Sequence, residues 1–237
     1  MIDYTQYTEL LNTHVDQSGM INYATLQKNR EPLDTFLKTL TNIPQETYNG
    51  WTQNDQLAFW INAYNAITLR EIVDHYPIQK GSLINRSLYP ENSIRQINGV
   101  WGKNTTHLLG QDITLHQIEN AIIRSQFNEP RIHFAIVCAS LGCPPLRNEA
   151  FIGPKLEAQL SDQTRKFLAD PAKFTINSKK KKIQLSPIFD WFESDFNETS
   201  IRDFIAQYAP EGSVAYINDP KFKIKHLDYD WSLNEQQ

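Results

Sequence analysis

Residues 132–146 read IHFAIVCASLGCPPL, an apolar run followed by a short loop that contains one glycine and two prolines. The apolar part, from Ile132 to Cys138, is rich in β-branched and aromatic residues. This pattern predicts a strand that is buried on both faces near the centre of a sheet. Because side chains alternate along a strand, His133 would point into a mostly apolar layer. The sequence therefore predicts an imidazole within the core.

The strongest helical pattern precedes this run. Apolar residues recur at helical spacing from Asp55 to about His75, and a tyrosine-proline pair then ends the pattern. A rotation of about 100° per residue places Asn62 and Asn65 together on an adjoining face. We therefore expect two carboxamides to point inward or sideways from an otherwise apolar helix.

Weaker patterns cover the rest of the chain. Helices are predicted at about 4–11, 33–40, 114–125, 154–168 and 200–208, and a β-hairpin is predicted at 174–186 with the lysine run 179–182 at its tip. The resulting fold class is α+β, with a central sheet packed by several helices. We expect a single domain over 1–237, in which 1–50 form a helical N-terminal part and 51–237 form the core.

The composition is that of a soluble globular protein. The chain has 237 residues, 40% of them hydrophobic, and 23 basic against 27 acidic residues give a net charge of -4. This balance leaves no broad basic stripe, so we do not expect nucleic acid as a partner. No run of about 18 apolar residues occurs, so we expect no transmembrane segment.

The sequence leaves the compartment and the oligomeric state open. The N-terminus lacks the basic and apolar regions of a signal peptide, which fits a cytoplasmic protein as given. If a leader peptide had been removed, the remaining sequence would be the same, and the protein would then be periplasmic or secreted. Two cysteines do not decide between these compartments.

The loop after the apolar run is the best candidate for chemistry. Gly142 permits unusual backbone angles, while Pro144 and Pro145 restrict the chain, so Cys143 would be held on a stiff support. The backbone N–H groups of residues 141–143 have no obvious partners in the sequence. They would form an anion-binding nest that stabilises a thiolate or an oxyanion.

Several interpretations of the two cysteines remain. Cys143 would be a nucleophile if His133 or another imidazole deprotonates it and Glu119 or an asparagine orients that base. In the structural alternative both cysteines are small buried hydrophobes, and Cys138, at the end of a buried strand, is the poorer nucleophile. A disulfide requires the two Cα atoms to lie within about 7 Å. A metal site from His133 and the cysteines would lack a fourth ligand, so we expect no metal and no cofactor.

Four segments together resemble the family known as domain of unknown function 547 (DUF547). They contain a Trp-x-Asn-x-Tyr-Asn signature on the long helix and a His-Phe-Ala…Cys-Pro-Pro signature in the central stretch. The resembling segments are 59–66, 115–124, 131–146 and 227–234.

The resemblance implies one intact domain but no established reaction. The family includes bacterial members, which often carry export signals, and plant members fused to a leucine-zipper segment. Its signature residues fall here on Trp60, Asn62, Tyr64, Asn65, Glu119, Arg131, His133, Cys143, Pro144 and Pro145. Two positions depart from the common pattern: Asn120 stands where relatives often have histidine, and Val137 where they often have asparagine.

The first functional hypothesis is a cysteine-dependent hydrolase or acyl-transferase that uses a polar cleft. Cys143 would attack a carbonyl, His133 would shuttle the proton and Glu119 would hold the imidazole. Asn62 and the loop amides would stabilise the oxyanion.

The second hypothesis is a non-catalytic binding module for a small polar or thiol-containing ligand such as glutathione, or for a peptide. Cys143 would then form at most a mixed disulfide. A third interpretation is structural: Trp60, Tyr64 and the buried polar groups form a satisfied core network. The residues expected to bind a ligand are Trp60, Asn62, Tyr64, Asn65, Arg131 and Ser140.

Overall fold

The computed structural model describes residues 2–198 and 200–237. The fold is α+β, as predicted, and helices make up most of it. The N-terminal part is helical, as expected, and its helices pack on the long fifth helix. The first six helices are α1 (Thr5–His14), α2 (Tyr23–Lys28), α3 (Glu31–Thr41), α4 (Gln45–Asn49), α5 (Gln53–His75) and α6 (Leu83–Leu88).

The second half of the chain alternates short helices with short strands. A continuous helical stretch consists of α7 (Leu115–Gln117), a π-helical turn (Ile118–Ile123) and α8 (Arg124–Gln126). It begins at the predicted capping box, in which Thr114 and Gln117 bond each other's backbone N–H groups. The remaining helices are α9 (Leu156–Ala169), α10 (Ile188–Trp191), α11 (Ile201–Tyr208) and α12 (Val214–Asn218).

The strands form two small sheets. In the first, β1 (Thr105–Leu108) pairs antiparallel with β2 (Gln111–Thr114). In the second, β4 (Lys182–Leu185) lies between an antiparallel β3 (Phe174–Asn177) and a parallel β5 (Lys223–His226). The lysine run lies at the turn between β3 and β4, so the predicted hairpin is confirmed.

The predicted central strand at 132–138 is wrong, and the described residues contain no central sheet. The segment is buried as expected, but it forms a 3₁₀ helix over Pro130–Phe134 and then an irregular stretch. Pro130 favours a helical turn because its missing N–H is not needed in the first turn, and Glu129 accepts the N–H of Arg131. An apolar run shows burial, but its pattern does not separate a strand from a buried turn.

Helix α5 runs through the middle of the larger core. Its N-cap, Thr52, accepts the backbone N–H of Asp55, and the helix ends before Pro77. Almost every side chain from Leu57 to Leu69 is buried, which is typical of a helix covered on all sides. The predicted helix is therefore confirmed, and its polar residues must find partners inside the protein.

Two asparagines of α5 bind the backbone of loops far along the chain. Asn62 donates to the carbonyl of Phe151 at 2.7 Å and accepts the N–H of the same residue at 3.0 Å. Asn65 donates to the carbonyl of Ala135 at 2.9 Å and accepts the N–H of Val137 at 3.0 Å. Each carboxamide thus supplies the hydrogen bonds that a neighbouring strand would provide. The 135–137 segment is therefore held in place without a sheet.

A second, phenylalanine-rich core lies beside the first. Phe134 belongs to this second core, whereas its neighbours Ile132 and Ile136 belong to the first. The 132–138 segment therefore lies where the two cores meet. Among the described residues, no helix is both long enough and apolar enough to cross a membrane.

Replacement of Asn65 by alanine tests this anchoring role. The variant leaves a buried carbonyl and a buried N–H without partners, so we expect Asn65→Ala to lower the free energy of unfolding by roughly 2–5 kcal/mol. Chemical denaturation measures this change. Asn54→Ala, at an exposed position of the same helix, is the control and should change stability by less than about 0.5 kcal/mol. Equal stability of the two variants would contradict the anchoring role.

Candidate functional site

A cavity of about 270 Å³ opens where α5, the π-helical turn, the 133–144 segment and the C-terminal tail come together. Aromatic rings form much of its wall, and charged groups and both cysteines lie among them. The lining residues are Tyr64, Arg95, Trp101, His116, Glu119, Asn120, His133, Ile136, Cys138, Cys143, Pro144, Ile188, Trp191, Phe192, Tyr229 and Trp231.

Cys138 and Cys143 are joined by a disulfide, with their Cα atoms 6.1 Å apart. The backbone N–H of Cys138 also points to Sγ of Cys143 at 2.9 Å. Cys138 is partly exposed, whereas Cys143 is only 5% exposed. The expectation that the end of a buried strand would enclose Cys138 is wrong, because the segment is not a strand and Cys138 is partly exposed although its neighbours Val137 and Ala139 are buried.

The loop amides do not form the predicted anion-binding nest. Leu141 donates its N–H to the carbonyl of Ser232 at 2.8 Å, and Gly142 donates to Asp230 at 2.7 Å. The N–H of Cys143 is bonded to the carbonyl of Ser140 at 3.1 Å. The C-terminal tail therefore occupies the donors that the sequence left unpaired.

Gly142 allows the loop and the C-terminal tail to approach each other closely. A Cβ atom at this position would lie 2.7 Å from the ring of Tyr229. The absence of a side chain therefore lets that ring lie over the loop. Beneath the loop, the buried ammonium of Lys173 donates to the carbonyl of Leu141.

The hydroxyl of Tyr229 contacts both sulfurs of the disulfide. It donates to Sγ of Cys143 at 3.2 Å and lies 3.1 Å from Sγ of Cys138. Ser140 donates to the same hydroxyl at 3.2 Å. Burial raises the pKa of Tyr229 well above its ordinary value, so the phenol keeps its proton and remains a donor to sulfur.

His133 is held by Asp195 and not by Glu119. Its Nε2 lies 2.7 Å from Oδ2 of Asp195, and its ring stacks on Phe192 at 4.1 Å. Burial lowers the pKa of His133, and the hydrogen bond to Asp195 opposes this only in part. Burial alone would raise the pKa of Asp195, but hydrogen bonds from Arg124 and His133 outweigh it and the net pKa lies below the ordinary value.

Glu119 lines the cavity on the π-helical turn, a feature often found at functional sites. Its carboxylate accepts a hydrogen bond from the hydroxyl of Tyr64 at 3.2 Å. Burial raises the pKa of Glu119, and the bond from Tyr64 opposes that rise. The predicted role of Glu119 in orienting the imidazole is therefore wrong, because the π-helical turn directs its carboxylate to Tyr64.

The predicted site residues separate into two groups. Cys143, His133, Glu119 and Tyr64 line one cavity, and Ser140 touches Tyr229 beside it. The others are outside the cavity and have structural partners. Asn62 and Asn65 bind loop backbone, Trp60 donates to the hydroxyl of Tyr48 at 2.8 Å, and Arg131 pairs with Glu129 and Glu157.

The sequence interpretation missed Asp195, Tyr229 and Arg95 as site residues. Tyr229 lies in the 227–234 tail. The resemblance of this tail to the family could have indicated a site, but the sequence interpretation assigned none there. Asp195 follows a cluster of aromatic residues, and such a pattern does not reveal a histidine partner 62 positions away. Asn120, which departs from the common pattern, accepts a hydrogen bond from Arg124 at 2.6 Å.

A family model described as "Protein of unknown function, DUF547" matches residues 48–168. The match includes α5, the π-helical turn, His133 and both cysteines. Asp195, Tyr229 and Trp231 lie outside the matched residues. No curated protein and no solved structure matches the chain.

Replacement of Asp195 by asparagine tests whether Asp195 controls the pKa of His133. The carboxylate opposes the effect of burial, so we expect Asp195→Asn to lower the pKa of His133 further and to keep the imidazole neutral to a more acidic pH. An NMR titration of the imidazole Cε1–H signal measures the shift. Asp112→Asn, which alters the exposed partner of His107, should leave the His133 titration unchanged. A rise in the pKa of His133 in Asp195→Asn would disprove the assignment.

Proposed function

This chain belongs to the DUF547 family, and we propose that its site exchanges a disulfide with a small thiol-containing ligand. The observation that carries the proposal is the position of the Cys138–Cys143 disulfide: both cysteines line an open cavity, and both sulfurs contact the hydroxyl of Tyr229. A disulfide with a purely structural role needs neither a ligand-sized cavity nor a hydrogen-bond donor on its sulfurs.

In the first step a ligand thiolate attacks Sγ of Cys138, the more accessible sulfur. A ligand–Cys138 disulfide forms as the Cys138–Cys143 bond breaks, and the electron pair of the broken bond remains on Sγ of Cys143. The N–H of Cys138 and the hydroxyl of Tyr229 already point to that sulfur. Both donors stabilise the departing thiolate, which makes Cys143 the better leaving group.

In the second step another ligand thiolate attacks the ligand sulfur of the mixed disulfide. The electron pair then goes to Sγ of Cys138, and the two cysteines take up the two protons that the ligand thiols lost. The ligand leaves as its own disulfide, and the protein holds the two electrons as a dithiol. The same steps in reverse let the dithiol protein reduce a ligand disulfide.

A second candidate is the cysteine hydrolase or acyl-transferase, restricted to the reduced protein. It is favoured by His133, which lines the same cavity as Cys143 and is paired with Asp195 behind it. The partners of Sγ of Cys143 are the N–H of Cys138 and the hydroxyl of Tyr229, however, and the predicted oxyanion donors are occupied. These contacts favour thiol exchange.

Thiol trapping tests the exchange. We expect oxidised wild-type protein to lose its disulfide when a small thiol such as 2-mercaptoethanol is added under conditions that keep it folded. Acid quenching, alkylation and mass spectrometry measure the dithiol and the mixed disulfide. A folded protein whose disulfide stays intact, at thiol concentrations that reduce exposed disulfides, would contradict the proposal and leave the bond a structural crosslink.

The location of the trapped mixed disulfide tests the order of attack. Because Cys138 is the more accessible sulfur and Cys143 the better leaving group, the added thiol should be found on Cys138 and the alkylating label on Cys143 about ten times more often than the reverse arrangement. Peptide mapping by mass spectrometry measures this ratio, and an excess of the added thiol on Cys143 would overturn the assignment of Cys138 as the attacked sulfur. Ester turnover by the reduced wild type that Cys143→Ser abolishes would favour the hydrolase instead.

A further inference from the structure

Arg95 occupies an unusual position at the wall of the cavity, between three aromatic rings. Its guanidinium carbon lies 4.6 Å from the ring centres of Tyr89 and Trp231 and 5.3 Å from that of Trp101. Aromatic faces attract the cation and hold its plane in place. The one oxygen that these rings offer to the guanidinium is the neutral hydroxyl of Tyr89, so the positive charge is positioned without being neutralised.

Not all N–H donors of the Arg95 side chain have a hydrogen-bond partner. Within residues 2–198 and 200–237, its side chain makes one hydrogen bond, from Nη2 to the hydroxyl of Tyr89 at 2.8 Å. Its Nε–H is buried without a partner, and no carboxylate of the described chain lies within 4.0 Å of the guanidinium. Arginine normally satisfies this fork with a carboxylate or a phosphate.

The other arginine near the cavity shows the contrast. Arg124 is engaged by both oxygens of Asp195, at 2.5 and 2.8 Å, so its charge is balanced within the protein. Asp195 is likewise neutralised by Arg124, and it accepts a hydrogen bond from His133. Glu119 is the acid that lines the cavity, and it accepts a hydrogen bond from the hydroxyl of Tyr64. Arg95 is therefore the cation on this wall whose charge is left for a ligand.

Packed aromatic rings also connect Arg95 to the sulfurs. Trp231, which covers the guanidinium, lies 4.6 Å from Tyr229 between ring centres, and Tyr229 contacts both cysteines. Burial is the main cause that raises the pKa of Tyr229, and the positive charge of Arg95 opposes that rise. A ligand that reaches Cys138 thus lies within the field of Arg95.

We infer that Arg95 receives the carboxylate of the ligand, so that the preferred substrates are small thiols that carry a carboxylate. The inference rests on the proposed thiol exchange. The carboxylate would take the unused N–H donors of the guanidinium while the ligand sulfur faces Cys138. The flanking tryptophan rings would cover the carbon chain between these two ends.

A thiol series of different charge tests the inference. The rate of disulfide opening is compared for 3-mercaptopropionate, 2-mercaptoethanol and cysteamine at equal thiolate concentration. We expect wild-type protein to favour the anionic thiol over the neutral one by about tenfold, the ratio expected of one charge-assisted hydrogen bond. In Arg95→Gln this preference should disappear, and in Arg95→Lys it should be intermediate. Because the comparison is made within each variant, a general loss of stability cannot produce it.

Arg165→Gln is the matched control, since Arg165 also stacks on a tyrosine, at 5.6 Å from Tyr208, but lies outside the cavity lining. It should keep the wild-type preference. Disulfide opening at equal rates by all three thiols would overturn the role of Arg95 and leave the exchange intact.

Binding of a redox-inert analogue separates this role from the exchange itself. 3-(Methylthio)propionate cannot react with the disulfide, and its binding is followed by the fluorescence of the cavity tryptophans. Binding that is lost in Arg95→Gln but kept in Arg165→Gln would support the carboxylate site even if no thiol opened the disulfide. Binding that is equal in all three proteins, or equal to that of the neutral 2-(methylthio)ethanol, would disprove the site.

Discussion

The buried carboxamides of Asn62 and Asn65 carry out the task that a neighbouring strand performs in a sheet. Each offers one donor and one acceptor to the backbone of a loop, and both belong to a helix that is covered on all sides. Because an unpaired buried backbone group costs about 1–3 kcal/mol, the loops can enter the core only where such partners exist. The position of the 135–137 segment, and with it the start of the cysteine loop, depends on this pairing.

The C-terminal tail completes the site from the opposite side. It pairs with the amides of Leu141 and Gly142, and its Tyr229 lies over the glycine and reaches both sulfurs. The same contacts that fix the loop also remove its capacity to bind an oxyanion and place a phenol donor at the disulfide. These contacts support the proposed thiol exchange over acyl transfer.

Charge is divided unequally around the cavity. Arg124 and Asp195 balance each other, whereas Arg95 is held by aromatic faces that leave its charge uncompensated. Sequence patterns revealed the longer helices, the hairpin and four of the cavity residues, because helical spacing and turn residues are local signals. They did not reveal that His133 pairs with Asp195, since that hydrogen bond joins residues in different elements.

The sequence by itself determined the fold class, the extent of α5 and the burial of residues 132–138, because hydrophobic spacing records which side chains avoid water. Only the tertiary structure decided that this buried run is a 3₁₀ turn and not a strand, that Cys138 bonds Cys143 and that Tyr229 covers both sulfurs. The physical reason is that buried polar atoms need hydrogen-bond partners, and these partners come from distant parts of the chain. Asn65 and Tyr229 lie 70 and 86 positions from the residues they bond in the 135–143 segment, and no local pattern reveals such a pairing.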